Sequence, residues 1–377
     1  MSDRLITVQR ALTDAPAEAV VERLGEALAK EYGVTETDLL LVDYRLAALL
    51  PLLTGSAVTT PGDPAWRSFD HQAEVIAGRV AYLPAAARGE RIGVLRCSPV
   101  PADGTARAEL AEIATLLAHE LQSAGTGTDR YTMAARTRRL TLAAEMQWEL
   151  LPGRCRVRPA FNLAGQLEPS YAVRGDSFDW AEHGDKLSLT VVNGMGEGMA
   201  AAMLTSLAMY ALRNARRAGL ALADQAALAD QAVFAHHRGD AYVSALLLEL
   251  DATTGALEVV DAGSPQLMLL RDGEVRNLPL EAQFPLGMFE SSEYHAQRFP
   301  LHRADRLMIV SDGVTEANGT GHRYGEAALH RFVRRSGAMA PMEAVRSLLG
   351  DLRTFLGNAD LDDDAVAVCL DWTGTPG

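Results

Sequence analysis

The sequence predicts an α/β protein of two domains: a small α/β module, then stacked β-sheets covered by helices. Three observations carry that prediction. The length of 377 residues suits two hydrophobic cores better than one. The first third reads as helix, paired strands and a closing helix. Beyond residue 154 strands dominate, interrupted by helical regions only around 198–237 and 325–356, and strands in that proportion pack as two sheets under helices.

Composition narrows the classes of function. Hydrophobic residues make up 48% and charged residues 22%, as in soluble globular proteins. A net charge of −14 and a pI near 5.1 argue against a nucleic-acid partner and against docking on an anionic membrane. The most apolar run, LLLVDYRLAALLPLL, is broken by Asp43, Tyr44 and Arg45, so no membrane span is predicted. The start, MSDRLITVQRALTD, lacks the basic and apolar segments of a signal peptide. Cys97, Cys155 and Cys369 are isolated and read as buried, reduced thiols. The expectation is a cytoplasmic protein.

In the first domain, 1–125, Asp14 is placed to cap a helix with Pro16 in its first turn. Val20, Val21, Leu24 and Leu28 then recur at helical spacing, and Gly33 suits the stop. TDLLLVDYRLAALLPL reads as two strands turning around Asp43 to Arg45, and RVAYLPAAARGERIGVLRCSP as another pair turning at Arg88-Gly89. A closing helix presents Leu110, Ile113, Leu117 and Leu121 on one face. Leu83-Pro84, Gly89-Glu90 and Ile92-Gly93-Val94-Leu95 make this segment resemble a GAF domain, which implies a sensor module for a small ligand whose identity does not transfer.

SAGTGTD, Ser123 to Asp129, is a linker signal. The stretch RYTMAARTRRLTLAAEMQWELLPG reads as a connecting helix, the segment 126–153 ending at Pro152-Gly153. Leu142, Ala143, Met146 and Leu150 form an apolar arc that Leu140 and Leu151 extend. Such an arc can seat on either domain or pair with a second copy as a homodimer.

In the second domain, 154–377, aspartates stand where strands end: Asp176 in RGDSFDW, Asp312 in RLMIVSDGVTEA, and Asp362, Asp363 and Asp364 in LDDDAVAV. Carboxylates held on a rigid sheet can converge, and hard oxygen ligands suit Mg²⁺ or Mn²⁺. The loop TVVNGMGEGMAAAML adds Asn193 and Glu197 among Gly194, Gly196 and Gly198. A dinucleotide-binding reading of that loop fails on glycine spacing, on strands that look antiparallel, and on the lack of a suitably distant ribose-binding acid.

The ordered series LAAEMQWELLP, RGDSFDW, NGMGEGMAAAML, YVSALLLELDATTGALEVVDAGSP, FPLGMF, LMIVSDGVTEA, YGEAAL and DDDAVAV resembles the metal-dependent PPM protein phosphatases, in particular their SpoIIE branch. The resemblance runs from about Leu142 to Trp372. It implies an α-β-β-α sandwich with a two-ion Mn²⁺ or Mg²⁺ centre at one end. It further implies hydrolysis of phosphoserine or phosphothreonine by metal-activated water, with no covalent enzyme intermediate. The implied partner is a phosphoprotein such as an anti-sigma factor antagonist. Carried over by position, the metal centre falls on Asp176, Asn193, Gly194, Asp312 and Asp363, with Asp176, Asp312 and Asp363 as the catalytic carboxylates. Asp362 and Asp364 stand one residue away as alternatives to Asp363, and Phe178 and Asp179 also match.

Departures gather at the same place. Asn193 stands where the family has a metal-bridging aspartate, Glu197 where histidine is common, Ser264 where histidine is usual and Val366 where threonine is common. Arg174 replaces the first glycine of the motif before Asp176, where a guanidinium can meet a phosphate bidentately or stay solvated. Glu197 can supply a carboxylate, but an acidic residue at a helix N-terminus is the simpler reading. Two functions remain: an active sensor-coupled phosphatase weakened at Asn193, and a pseudophosphatase that binds without turnover.

Overall fold

The computed structural model describes residues 2–170, 173–263, 265–319, 322–357 and 361–374. Two compact units divide the chain, Met1–Arg139 and Leu140–Gly377.

The first unit comprises α1 (Asp3–Thr13), α2 (Val20–Tyr32), β1 (Glu36–Val42), β2 (Leu49–Pro51), α3 (Pro64–His71), β3 (Val75–Ala77), β4 (Val80–Ala87), β5 (Glu90–Ser98), α4 (Gly104–Ala124) and the short α5 (Arg130–Ala134). Its antiparallel sheet has the order β2-β1-β5-β4-β3. Leu39 and Leu41 alternate inward from β1, as Leu83 does from β4, to meet Leu24 and Leu28 of α2 and Leu110, Ile113, Leu117 and Leu121 of α4. Both predicted strand pairs form, and Gly33 ends α2 in the left-handed conformation. Asp14 differs from expectation. It closes α1 as its C-terminal cap, and α2 begins only at Val20, because Val8 and Leu12 bury a helix of their own ahead of Pro16. All three cysteines are buried, and none is in a disulfide among the described residues.

The connecting helix also differs. Residues 135–141 are non-helical, leaving α5 in the first unit and α6 (Leu142–Leu150) in the second. The Thr141 hydroxyl starts α6 afresh by accepting the Ala144 N–H at 3.2 Å. Its buried face is Ala143, Ala144, Gln147 and Leu150, while Leu142 is exposed. Gln147 turns inward because it has buried oxygens to satisfy, as described below.

The second unit continues with β6 (Cys155–Val157), β7 (Phe161–Glu168), β8 (Ser177–His183), β9 (Lys186–Gly194), α7 (Gly198–Arg217), α8 (Leu222–His237), β10 (Val243–Asp251), β11 (Ala256–Ala262), β12 (Gln266–Arg271), β13 (Glu274–Asn277), β14 (Gln297–Pro300), β15 (Asp305–Val310), α9 (Asp312–Thr315), α10 (Gly325–Arg335), α11 (Pro341–Leu356) and β16 (Ala365–Trp372). Among the described residues one sheet has the order β14-β11-β10-β9-β8 and the other β13-β12-β15-β16-β7-β6. Strand alternation builds the layers. Leu246, Leu248 and Leu250 of β10 face the second sheet's Leu307, Ile309, Val368 and Leu370. Val243, Ala245 and Leu247 of the same strand face Leu204, Leu212, Ala226 and Val233 of α7 and α8. On the far side α11 packs on β7 and β16, burying Val345, Leu348 and Leu352. The result is an α-β-β-α sandwich, and every strand pair around the 193–198 loop is antiparallel, as the argument against a dinucleotide fold requires.

Candidate functional site

Register brings the acidic segments together. In the first sheet Ser177 pairs with Val192, so Asp176 precedes β8 at the end where β9 delivers Asn193. In the second sheet Val310 pairs with Ala367, so Asp312, just past β15, meets the residues that lead into β16. Both sheets present these residues at one end of the sandwich.

Asp176 is wholly buried, and neither carboxylate oxygen has a hydrogen-bond partner of good geometry. The nearby Ser311 hydroxyl favours its charged form slightly, but that hydroxyl points to the Asp364 carbonyl at 3.3 Å. Burial first, then the charges of Asp364, Asp363 and Asp312, hold the Asp176 carboxyl well above the usual range. Asp363 is half-buried and pushed up to about 6 by burial and by Asp312, with Asp364 adding to the effect. Asp312 is raised by desolvation and by Glu316. Asp176 and Asp363 are thus held back from ionising by neighbouring carboxyl groups.

Asp364 behaves differently from its neighbours. It is fully buried, and its Oδ1 accepts the Ser170 N–H at 2.7 Å and the Ser170 hydroxyl at 2.8 Å. Its Oδ2 accepts Gln147 Nε2 at 2.7 Å, Arg174 N at 2.8 Å and Gly175 N at 3.0 Å. Gln147 also donates to the Asp176 carbonyl at 2.8 Å, tying α6 to both segments. Asp364 is therefore consumed in fixing the loop that carries Asp176, whereas Asp363 stays at the cluster and Asp362 is exposed. Gly313 has no side chain because a Cβ there would collide with the Asp364 carbonyl.

Asn193 is half-buried, and its Nδ2 donates to Asp312 Oδ1 at 2.6 Å. Gly194 is buried, with no room for a Cβ beside the Thr205 hydroxyl, which donates to the Gly175 carbonyl at 2.5 Å. Gly196 and Gly198 adopt positive φ values of 101° and 64°, completing the turn into α7. Glu197 occupies the N-cap position of α7, exposed and without a capping hydrogen bond. Asp179 is buried against Arg213 and Arg216 at 2.8 and 2.9 Å, so it anchors α7 on β8. Phe178 and Val366 lie in the inter-sheet core. Ser264 lies outside the described residues.

Sequence reasoning did not find Gln147, Ser170, Ser311 or Thr205. Their only signal was proximity to matched motifs, because each acts through a partner distant in the chain.

Comparison with known proteins follows the same segments. The family model for stage II sporulation protein E (SpoIIE) matches residues 183–373, half of the chain. The chain belongs to the SpoIIE family. Asn193, Asp312 and Asp363 lie inside the matched span of this SpoIIE-type chain, and Asp176 precedes it. The phosphoserine phosphatase RsbP of Bacillus subtilis is 24% identical over 188 residues, covering 48% of this chain and 45% of RsbP. The SpoIIE-type chain thus spans about half the length of that relative. The SiaA-PP2C domain of Pseudomonas aeruginosa superposes with a TM-score of 0.52 at 22% identity, covering 61% of this chain and 94% of that one. A structure of SpoIIE from Bacillus subtilis, holding its PP2C phosphatase domain and a regulatory fragment, gives 0.50 at 14% identity, covering 98% and 95%. These likenesses establish the PPM phosphatase fold.

Whether the SpoIIE-type site can take a cation depends on its donors. Carboxylate oxygens are the right ligands for Mg²⁺ or Mn²⁺, and a buried carboxyl group with two unpartnered oxygens has donor capacity that a cation would use. Among the described residues no three His, Cys, Asp or Glu side chains form a ready-made cage. The donor set fits a divalent ion in kind.

Proposed function

We propose that the second unit is a metal-dependent serine/threonine protein phosphatase whose cation-binding power is reduced at Asn193. The observation that carries this reading is Asp176: a wholly buried carboxylate, unpartnered at both oxygens, with Asp312 and Asp363 close enough to raise its pKa. Asp176, Asp363 and Asp312 would hold Mn²⁺ or Mg²⁺. When bound, such an ion supplies a water acidified for attack and positive charge at the phosphoryl oxygens. Asp364 fixes the loop that carries Asp176. Asn193 offers a neutral amide that now spends its N–H on Asp312; half a turn of the amide would present its oxygen instead. The name of the relative RsbP supports phosphoserine as substrate. The family resemblance supports an anti-sigma factor antagonist as the phosphoprotein, with the first unit as a GAF-like sensor of a small ligand.

The test is phosphate release from a phosphoserine peptide by the full chain, with and without Mn²⁺, beside Asp312→Ala. Turnover that needs the metal and is lost in Asp312→Ala supports the reading. Metal-independent turnover, or turnover indifferent to Asp312, overturns it.

A second reading, a pseudophosphatase that captures a phosphoprotein, is favoured by one observation. Where the family bridges two ions with a carboxylate, this chain has an uncharged amide bonded to the neighbouring carboxylate at 2.6 Å.

A further inference from the structure

We propose that the Arg174 guanidinium binds the phosphoryl group of the substrate, a phosphomonoester on serine or threonine; this inference rests on the phosphatase-type reading of the site. The loop that carries Arg174 is rigidly held, since the backbone N–H groups of Arg174 and Gly175 both donate to the buried Asp364 carboxylate at 2.8 and 3.0 Å. Its side chain therefore leaves a fixed point beside Asp176.

The guanidinium is not consumed where it stands. Arg174 makes no ion pair among the described residues, and its Nε is buried without a hydrogen-bond partner. A desolvated N–H of a cation is costly to leave unmatched, and an anion brought against the guanidinium would offset that cost. Its charge is felt at Asp363, where it opposes the rise caused by burial and by Asp312. The cation thus stands within electrostatic reach of Asp363 without being locked to it.

Charge explains why an arginine is useful at this position. A phosphomonoester arriving at Asp176, Asp312 and Asp363 meets repulsion from each ionised carboxylate. With Asn193 in place of a bridging aspartate, the cluster also draws divalent cations less strongly. A guanidinium carried two residues before Asp176 would offset both effects, and its planar fork matches two phosphoryl oxygens at once. A solvated lysine-like point charge would supply the sign without that geometry.

The experiment uses the full chain with Mn²⁺ and measures binding of a phosphoserine peptide and its unphosphorylated twin. Wild type is compared with Arg174→Gln and Arg174→Lys. Neither substitution removes the backbone N–H that Asp364 holds, so both variants should unfold at nearly the wild-type temperature. Arg174→Gln should bind the phosphopeptide about 10- to 100-fold more weakly with the twin unaffected, and Arg174→Lys should recover part of the loss. A merely structural arginine would lower both peptides together or neither. If folded Arg174→Gln discriminates between the peptides as well as wild type, the inference falls and the phosphatase-type reading stands. If wild type itself does not distinguish the peptides, the reading falls and takes the inference with it.

Discussion

Asp362, Asp363 and Asp364 are identical and consecutive, yet removing each carboxylate should have a different consequence. Asp364→Ala strips the acceptor from five donors, four of them buried: Ser170 N, Ser170 Oγ, Gln147 Nε2 and Gly175 N, with the part-buried Arg174 N. Each orphaned donor costs about 1–3 kcal/mol, but the losses share one network and do not add, so about 3–5 kcal/mol is the expected destabilisation. Asp363→Ala loses one acceptor, for the Asp364 N–H at 2.7 Å, and relieves crowding against Asp312 and Asp176. Its stability should stay within about 1 kcal/mol of wild type, while Mn²⁺ affinity falls at least about 10-fold. Asp362→Ala, at an exposed position, should change stability by less than about 0.5 kcal/mol and leave Mn²⁺ binding intact. Urea unfolding followed by a probe in the second unit, with Mn²⁺ titration by calorimetry, separates the three. If Asp364→Ala were as stable as Asp362→Ala, the role assigned to that carboxylate would be wrong. If Asp362→Ala rather than Asp363→Ala lost Mn²⁺, the assignment of the ligand would be wrong.

Two further predictions concern the same end of the sandwich. The Asp363 carboxyl is raised from its usual 3.8 to about 6, so metal-free stability is greatest below pH 4 for this group and is lost as pH rises through 6. After allowance for solvent screening, wild type relative to Asp363→Asn should lose about 1–2 kcal/mol over that interval. Since Mn²⁺ needs the ionised form, its thermal stabilisation of wild type should be larger at pH 7 than at pH 5, and equal shifts would contradict the assignment. Gly194→Ala forces a Cβ against the Thr205 hydroxyl and should cost about 1–3 kcal/mol in denaturant unfolding, with part recovered in the Thr205→Ala background. Strict additivity of the two changes would argue against that contact.

The legible parts of the chain were those whose pattern is local. In β10 the inward and outward residues of YVSALLLELD follow the pleat, and both buried faces could be read from strand spacing. Asp176, Asn193 and Asp312 could be picked out as candidates because each sits next to a strand boundary that hydrophobicity marks. Asp364 was not, because its five donors lie 189 to 217 residues away in sequence, and three adjacent aspartates look alike until those donors choose among them. The arc on α6 was misjudged for a related reason. Leu142 is the more apolar residue, but Gln147 satisfies a buried carboxylate and a buried carbonyl, and that requirement sets which face turns inward. α1 escaped notice because its buried Leu5, Val8 and Leu12 are spread thinly among polar residues.

On the proposed function, this end of the sandwich is a divalent-cation phosphatase site cut back at Asn193. The most direct measurement is phosphate release from a phosphoserine peptide by wild type and Asn193→Asp across a Mn²⁺ titration. A restored carboxylate facing Asp312 should lower the Mn²⁺ concentration needed for half-maximal activity, or raise turnover, by at least about 10-fold. If Asn193→Asp changes neither quantity, the amide is not what limits the site, and the account of its reduced cation-binding power is contradicted.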